Sequence, residues 1–521
     1  MSILTYIIAC PFVGALLVLC VPRNYRFVIR TIALSAAFLS MVLAIRAFAA
    51  FSAGGGYQFT QQNNWVQDLG ITYHVGADGL NIGLILMGAI VGFAATCMAR
   101  EIKERDKEFY LLLLIMTGGI LGAFASLDLF LFYFFHELAL IPTFIMIGVW
   151  GRGENKNYAA FNITLYLTAG ALIALIGLIA LYLTSGARTF DIVAMTAYVK
   201  THPISLANQN FIFPLLLFGF GILVSLWPFH TWAPLGYGAA PTSTAMLHAG
   251  VLKKFGLYGL IRIALPLLPD GAHSWLHVVA FLCLGNIIYC GLVAMRQRDL
   301  NLLIGNSSVA HMGFVFLGIA SLSLVGVTGA VVVMIAHGLL AALTFALSGY
   351  LYQQTGTSDM GKMGGLMRPM PFIGAALVMA MMAGCGLPGF ANFIGEAMVL
   401  FGSWNAFPLP TTLAVWGGLV IGAVYMLRAI RAIVHGPVVE TQTQVKLTDA
   451  VSLWRKTPFA LLIVTLLIFG IYPSLLTDKI KPAAESILAM ANGGTVVPAK
   501  ARISAGSAAA FEAKSAELKT H

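Results

Sequence analysis

Long apolar runs, separated by short segments that carry most of the charge, fill the chain almost from end to end. A helix needs about 20 consecutive apolar residues to cross the hydrocarbon core of a bilayer. Fourteen runs meet that measure, near 3–21, 28–49, 79–98, 109–126, 128–149, 160–184, 211–232, 241–264, 276–295, 302–322, 326–352, 372–404, 412–433 and 458–476. The pattern predicts an all-α polytopic membrane protein of about fourteen transmembrane helices. The run from Ile3 to Val21 lacks a small-residue cleavage pattern and reads as the first span rather than a removed leader.

Two runs are interrupted. The seventh passes into "WPFHTWAPLGYGAAPTS", with Pro228, Pro234 and Pro241, and the twelfth contains "GCGLPGFANFIGE", with Pro388 between glycines. Proline removes a backbone donor and clashes with the preceding turn. A break at lipid depth survives only where protein or enclosed water satisfies the freed backbone groups. Paired interruptions in two halves of a chain point to a transport fold built on inverted repeats. The expected organisation is helices 1–3 in 1–108, one five-helix repeat in 109–265, a second in 266–434, a loop and helix 14 in 435–480, and a tail in 481–521. From Gly493 the tail is rich in Ala, Ser and Lys and is expected to be loose or weakly helical.

Composition agrees with this picture: 59% of the 521 residues are hydrophobic and 10% charged, against about 25% charged in a soluble domain. The net charge of +10 does not point to nucleic acid, because the basic residues sit in short loops. Loops after odd-numbered spans hold Arg23, Arg26, Arg30, Arg100, Lys103, Arg105, Lys107, Arg152, Lys156, Arg296, Arg298, Lys362, Arg368, Arg428, Arg431, Lys446, Arg455 and Lys456. That is eighteen of the thirty basic residues. The positive-inside rule then predicts cytoplasmic odd loops in a bacterial inner membrane, with both termini outside. Six scattered cysteines, with no CxxC and no Cys/His cluster, give no support to disulfides, zinc or an iron–sulfur centre.

Ionisable residues inside spans are costly and mark functional sites by default. Glu137 in span five, Lys253 and Lys254 in span eight, and Glu396 in span twelve are the candidates. A Ser or Gln would serve a purely structural hydrogen bond at lower cost than Glu137. Adjacent helical residues point about 100° apart, so Lys253 and Lys254 cannot share one narrow path equally. His230, His248, His311 and His337 also lie in spans; each alone is commonly a satisfied core residue, yet imidazole titrates near pH ~6.5 and carries protons well. No histidine pair recurs as a b-type haem would require. With no nucleotide loop and no metal cluster, these groups point to proton movement driven by conformation or electrostatics.

The motifs "YHVGADGLNI" (73–82), "FFHELALIP" (134–142), "PFHTW" (228–232), "GVLKKFGLYGLIR" (250–262), "SSVAHMGF" (307–314), "MIAHGLLAALTFALSGYLY" (334–352) and "GLPGFANFIGE" (386–396) resemble the M (chain 4) subunit of respiratory complex I, the proton-translocating NADH:quinone oxidoreductase, within the wider class of Mrp antiporter-like subunits. "GKMGGLMRPMP" favours the M type over the L and N types. The resemblance covers the chain to about residue 480. It implies fourteen helices, two inverted five-helix repeats and breaks in helices seven and twelve. It implies that Glu137 is the key glutamate of helix five, Lys254 the central lysine of helix eight, and Glu396 the outlet glutamate of helix twelve. His311 and His337 match polar residues of the central axis. It also implies a non-redox subunit without a cofactor of its own. NADH, FMN, iron–sulfur clusters and quinone would then lie in partner chains, beside L- and N-type membrane subunits.

The chain departs from that family at defined places. The family's helix-seven lysine, seven residues before the histidine of "PFHTW" and paired there with the helix-five glutamate, is Leu223 here. "WLPDAH" is replaced by "WAPLGY" at 232–237, Asn301 stands where a lysine is usual, and Lys253 where an apolar residue is common. One expectation is relocation, with Lys253 or His248 serving Glu137. The others are a paralogous M subunit, a spacer with altered or lost pumping, or an Mrp-type or hydrogenase-type antiporter chain.

Overall fold

A computed structural model describes residues 1–54, 56–437 and 447–492. Lys446 and the tail from Gly493 onward lie outside the described residues. Twelve helices among the described residues are long and apolar enough to cross a membrane. In chain order the elements begin with α1 (Ile3–Cys20), α2 (Arg26–Ala50), the antiparallel hairpin β1 (Gln58–Val66) and β2 (Ile71–Ala77), and α3 (Ile82–Met98). There follow α4 (Asp106–Ala125), α5 (Leu129–Trp150), α6 (Lys156–Ser185), α7 (Ile192–Thr201), α8 (Leu206–Val224) and α9 (Trp232–Ala239). Next come α10 (242–267), α11 (Pro269–Arg296), α12 (Leu300–Ala320) and α13 (Leu324–Thr355). The last are α14 (Pro371–Gly384), α15 (Ala391–Ser403), α16 (Pro408–Ile433), α17 (Leu453–Ile471) and α18 (Ser474–Ala491).

Several boundaries correct the expected ones. The run expected at 211–232 ends as a helix at Val224 and resumes at Trp232, and the run expected at 458–476 stops at Ile471 before a new helix. That helix, α18, crosses the boundary at 480, so residues to Ala491 belong to the packed body rather than a tail. The hairpin and α7 were not expected; both are short polar-edged elements beyond the reach of a search for apolar runs.

Burial shows which helices form the centre. The apolar windows of α3 and α13 are wholly enclosed and α12 nearly so. Every residue of α10 is buried. By contrast α1, α6, α11 and α16 turn side chains such as Leu16, Phe161, Phe281 and Trp416 outward, as a lipid-facing surface does. Glycine permits a close central approach: a Cβ on Gly250 of α10 would stand 2.9 Å from the Gly338 carbonyl of α13, and one on Gly338 equally near the Gly250 carbonyl.

The α8–α9 break is held by one buried amide. Ser225 closes α8 in the left-handed region at φ 69°. Asn286 of α11 accepts from the Trp227 N–H at 2.8 Å and donates to the Ser225 carbonyl at 2.9 Å and the Val309 carbonyl at 3.1 Å. Trp232 Nε1 donates to the Ile222 carbonyl at 3.0 Å. The freed backbone groups thus find protein partners, as a break at membrane depth requires.

Polar networks collect at two faces. At one, Glu101 accepts from Arg152 Nη2 at 2.5 Å and from the Thr242 N–H at 2.7 Å, and Arg428 donates to the Met295 and Gln297 carbonyls. At the other, Asp191 meets His74 at 2.5 Å and Gln62 Nε2 at 3.0 Å, and Arg262 pairs with Asp78 at 2.5 Å. Both described ends belong to this hairpin face: the Ser2 N–H donates to Gln61 at 2.8 Å, and Lys479 of α18 donates to the Phe51 carbonyl at 2.7 Å.

Candidate functional site

Glu137 lies on α5, whose start is fixed by Asp128: its carboxylate accepts from the N–H groups of Phe130 at 2.9 Å and Leu131 at 3.1 Å. The Glu137 side chain is 31% exposed. It opens into a cleft between α5 and α6 lined by Leu140, Ile141, Thr143, Ile163, Thr164 and Leu167. Its inward neighbour is His136, with Nδ1 3.4 Å from the Glu137 carboxylate. The His136 ring is buried and stacks on Phe255 of α10 at 3.9 Å. Leu223 is buried among apolar side chains of α8.

The two adjacent lysines of α10 diverge. Lys253 Nζ donates to Ser308 Oγ of α12 at 3.1 Å and lies 5.6 Å from the Tyr237 ring centre. Lys254 Nζ donates to the Ala249 carbonyl at 2.7 Å and meets His337 Nδ1 of α13 at 2.9 Å. A π-turn at His248–Leu252 precedes them. The expected relocation of Lys253 to Glu137 is therefore not what the geometry gives: its ammonium is held by α12, because its neighbour's direction belongs to α13. His248 is enclosed against Trp232 (5.6 Å) and Tyr237 (5.4 Å), ring centre to ring centre, and not hydrogen-bonded to Glu137.

Beyond Lys254 the polar groups continue. The His337 and His311 rings are 5.4 Å apart, and His311 Nε2 is 3.8 Å from the Glu396 carboxylate. Glu396 is buried on α15 beside the α14–α15 break. Gly386 in that break, at φ +71°, leaves room for it: a Cβ there would stand 3.0 Å from Glu396 Oε2. Behind Glu396 an apolar groove lined by Phe393, Leu400, Trp404 and Leu419 opens sideways. Ser307, hydrogen-bonded to Tyr425 at 3.1 Å, borders the same region.

The structure thus brings Lys254, His337, His311 and Glu396 into one buried row with Lys253 and His248 beside it, while Glu137 and His136 stand on α5, joined to α10 through the stack of His136 on Phe255. It does not bring in His230, whose ring faces Tyr289 of α11 at 5.7 Å. Buried atoms of His136, Glu137, Tyr237, His248, His311 and Glu396 lack a protein hydrogen-bond partner, although buried polar groups are overwhelmingly paired. Sequence reading did not single out His136, whose Nδ1 lies 3.4 Å from the Glu137 carboxylate, although an imidazole adjoining a carboxylate was a visible signal. It also missed Asn286, a lone amide in an apolar run.

The family model described as NADH:quinone oxidoreductase/Mrp antiporter, TM, matches residues 126–422. NADH-quinone oxidoreductase subunit M of Rickettsia typhi is 33% identical over 461 residues, 88% of this chain and 91% of that one. A chain of respiratory complex I from Thermus thermophilus with bound NADH superposes with a TM-score of 0.85 at 28% identity, covering 94% of this chain and 99% of that chain. A chain of the Mrp complex from Dietzia sp. shares the fold, with a TM-score of 0.82 at 18% identity over 95% of this chain and 100% of that chain. The chain belongs to the NADH:quinone oxidoreductase/Mrp antiporter family of multi-pass membrane subunits, with the chains called NADH-quinone oxidoreductase subunit M among its relatives.

Proposed function

We propose that this chain is a proton-translocating, non-redox subunit of a complex I-type NADH:quinone oxidoreductase in a bacterial inner membrane, with its basic face cytoplasmic. The observation that carries the reading is the buried row from Lys254 through His337 and His311 to Glu396, with Glu137 half-buried on α5. Such groups at membrane depth are expensive and are kept for ion movement. The chain's part is to hold and pass protons. Lys254 shares a proton with His337 across 2.9 Å; His311 relays toward Glu396, whose carboxylate is 3.8 Å away. Water bridges the wider steps, placed by the unpartnered polar atoms along the row. At the other end His136 serves Glu137 in place of the lysine that Leu223 replaces. The two halves, 109–265 and 266–434, form inverted repeats with one broken helix each. NADH, flavin, iron–sulfur clusters and quinone belong to partner chains, among them L- and N-type membrane subunits.

Leu223 favours one further reading: a paralogous M subunit whose coupling at the Glu137 end is altered. Affinity purification of the tagged chain from its membranes separates these from a stand-alone antiporter. Co-purification with NADH-oxidising, flavin-containing chains supports the proposal. Recovery with antiporter chains alone, and no NADH oxidation, contradicts it.

A further inference from the structure

At the basic face a cavity of about 250 Å³ opens between three helices that the proton row does not use at this level. The end of α3 contributes Cys97, Met98 and Arg100; the last turns of α13 contribute Tyr350 and Gln354; the first turns of α17 contribute Trp454, Arg455 and Phe459. Two guanidinium groups therefore border one space. Arg100 lies over the Trp454 ring at 4.9 Å, and neither arginine forms an ion pair among the described residues. The one carboxylate on the rim, Glu101, is already taken up. It accepts from Arg152 at 2.5 Å, from the Thr242 N–H and hydroxyl at 2.7 Å each, and from Gln353 at 2.9 Å. Among the described residues no carboxylate within ion-pair distance offsets Arg100 or Arg455.

The wall has a second character. Met98 and Phe459 are buried and apolar, whereas Val451, Leu453 and Trp454 next to the mouth are 80%, 82% and 42% exposed. An apolar, partly exposed helix start flanking paired arginines marks a membrane–water boundary. Guanidinium groups offer planar forks that match phosphate oxygens. Basic pockets between spanning helices at the cytoplasmic side suit lipid head groups.

We propose that this cavity is a binding site for the phosphodiester head group of an anionic phospholipid, held by Arg100 and Arg455 with its acyl chains along the exposed start of α17. Inorganic phosphate shares the recognised chemistry, and the experiment separates the two sources. The full-length chain, in the complex it purifies with, is delipidated in neutral detergent. Phosphatidylglycerol, phosphatidylcholine and inorganic phosphate are then titrated, with retained lipid read by native mass spectrometry. Phosphatidylglycerol is expected to bind tightly, phosphatidylcholine and inorganic phosphate weakly. Arg100→Gln with Arg455→Gln is expected to lower phosphatidylglycerol affinity roughly ten- to thirtyfold, the loss for two arginines facing a lipid phosphate. Arg298→Gln, outside the cavity, leaves it unchanged. Equal binding of the two lipids by the unaltered protein, inorganic phosphate binding as tightly as phosphatidylglycerol, or undiminished affinity in the double variant overturns the proposal. Should the double variant not assemble, the salt dependence of the unaltered protein decides: affinity that does not fall with rising ionic strength contradicts a charge-held head group.

Discussion

At Glu137 the nearest titratable neighbour lies in the same helix. His136 precedes it in sequence, lies 3.4 Å from its carboxylate and turns its ring onto Phe255 of the central helix. His136→Leu is expected to lower proton transport at least severalfold while leaving assembly intact, with vesicle acidification as the readout; unchanged transport would remove His136 from the pathway. The lysines give a sharper contrast. Lys254→Met breaks the bond to His337 and should abolish transport through this chain. Lys253→Leu loses a bond to Ser308 at the edge of the row and should retain most of it. The placement of Glu137, Lys254 and Glu396 within apolar helices was legible from sequence because a charge in an apolar run is conspicuous. The direction of Lys253 was not, because the rotation of α10 is set by its packing against α12 and α13, which no local pattern records.

Among the elements, the α8–α9 break shows how an interrupted helix is kept at depth. Its prolines announced it, but not its repair by Asn286, which comes from 61 residues away at Ser225 and 59 at Trp227. Asn286→Leu leaves the Trp227 N–H and Ser225 carbonyl unpaired and should cost about 1–3 kcal/mol for each orphaned group, seen as a lower unfolding temperature in detergent. The hairpin is tied to α7 by His74 and Asp191. Burial pushes the Asp191 carboxyl up, but hydrogen bonds from His74 and the N–H groups of Ala194 and Val193 outweigh it and hold it below its ordinary value. A depressed carboxyl stabilises above the unfolded value of about 3.9 and loses that contribution as pH falls through the folded one. Amide protection in the hairpin, taken relative to the intrinsic exchange rate at each pH, should therefore fall below about pH 4. Asp191→Asn should exchange faster at neutral pH and show little of this acid dependence.

For the whole molecule, the apolar runs predicted a membrane-spanning helical bundle because bilayer thickness fixes helix length. The hairpin, α7 and α18 escaped that rule, since they lie at the hairpin face and need not span. The network that joins the start of α1 to this face also places Lys479 there. A single cysteine at Ser2 or Lys479 should react with an impermeant reagent from the outside of intact cells, and one at Arg298 only after permeabilisation. The reverse would invert the orientation. The central claim is that protons pass along the row from Glu137 through Lys254 to Glu396. It is met most directly by the proton-to-electron ratio of the purified complex in sealed vesicles, with Glu137→Gln and Lys254→Met each compared with the unaltered chain. A ratio that falls in both variants while electron transfer to quinone persists is the predicted result; a ratio unchanged in both would contradict it.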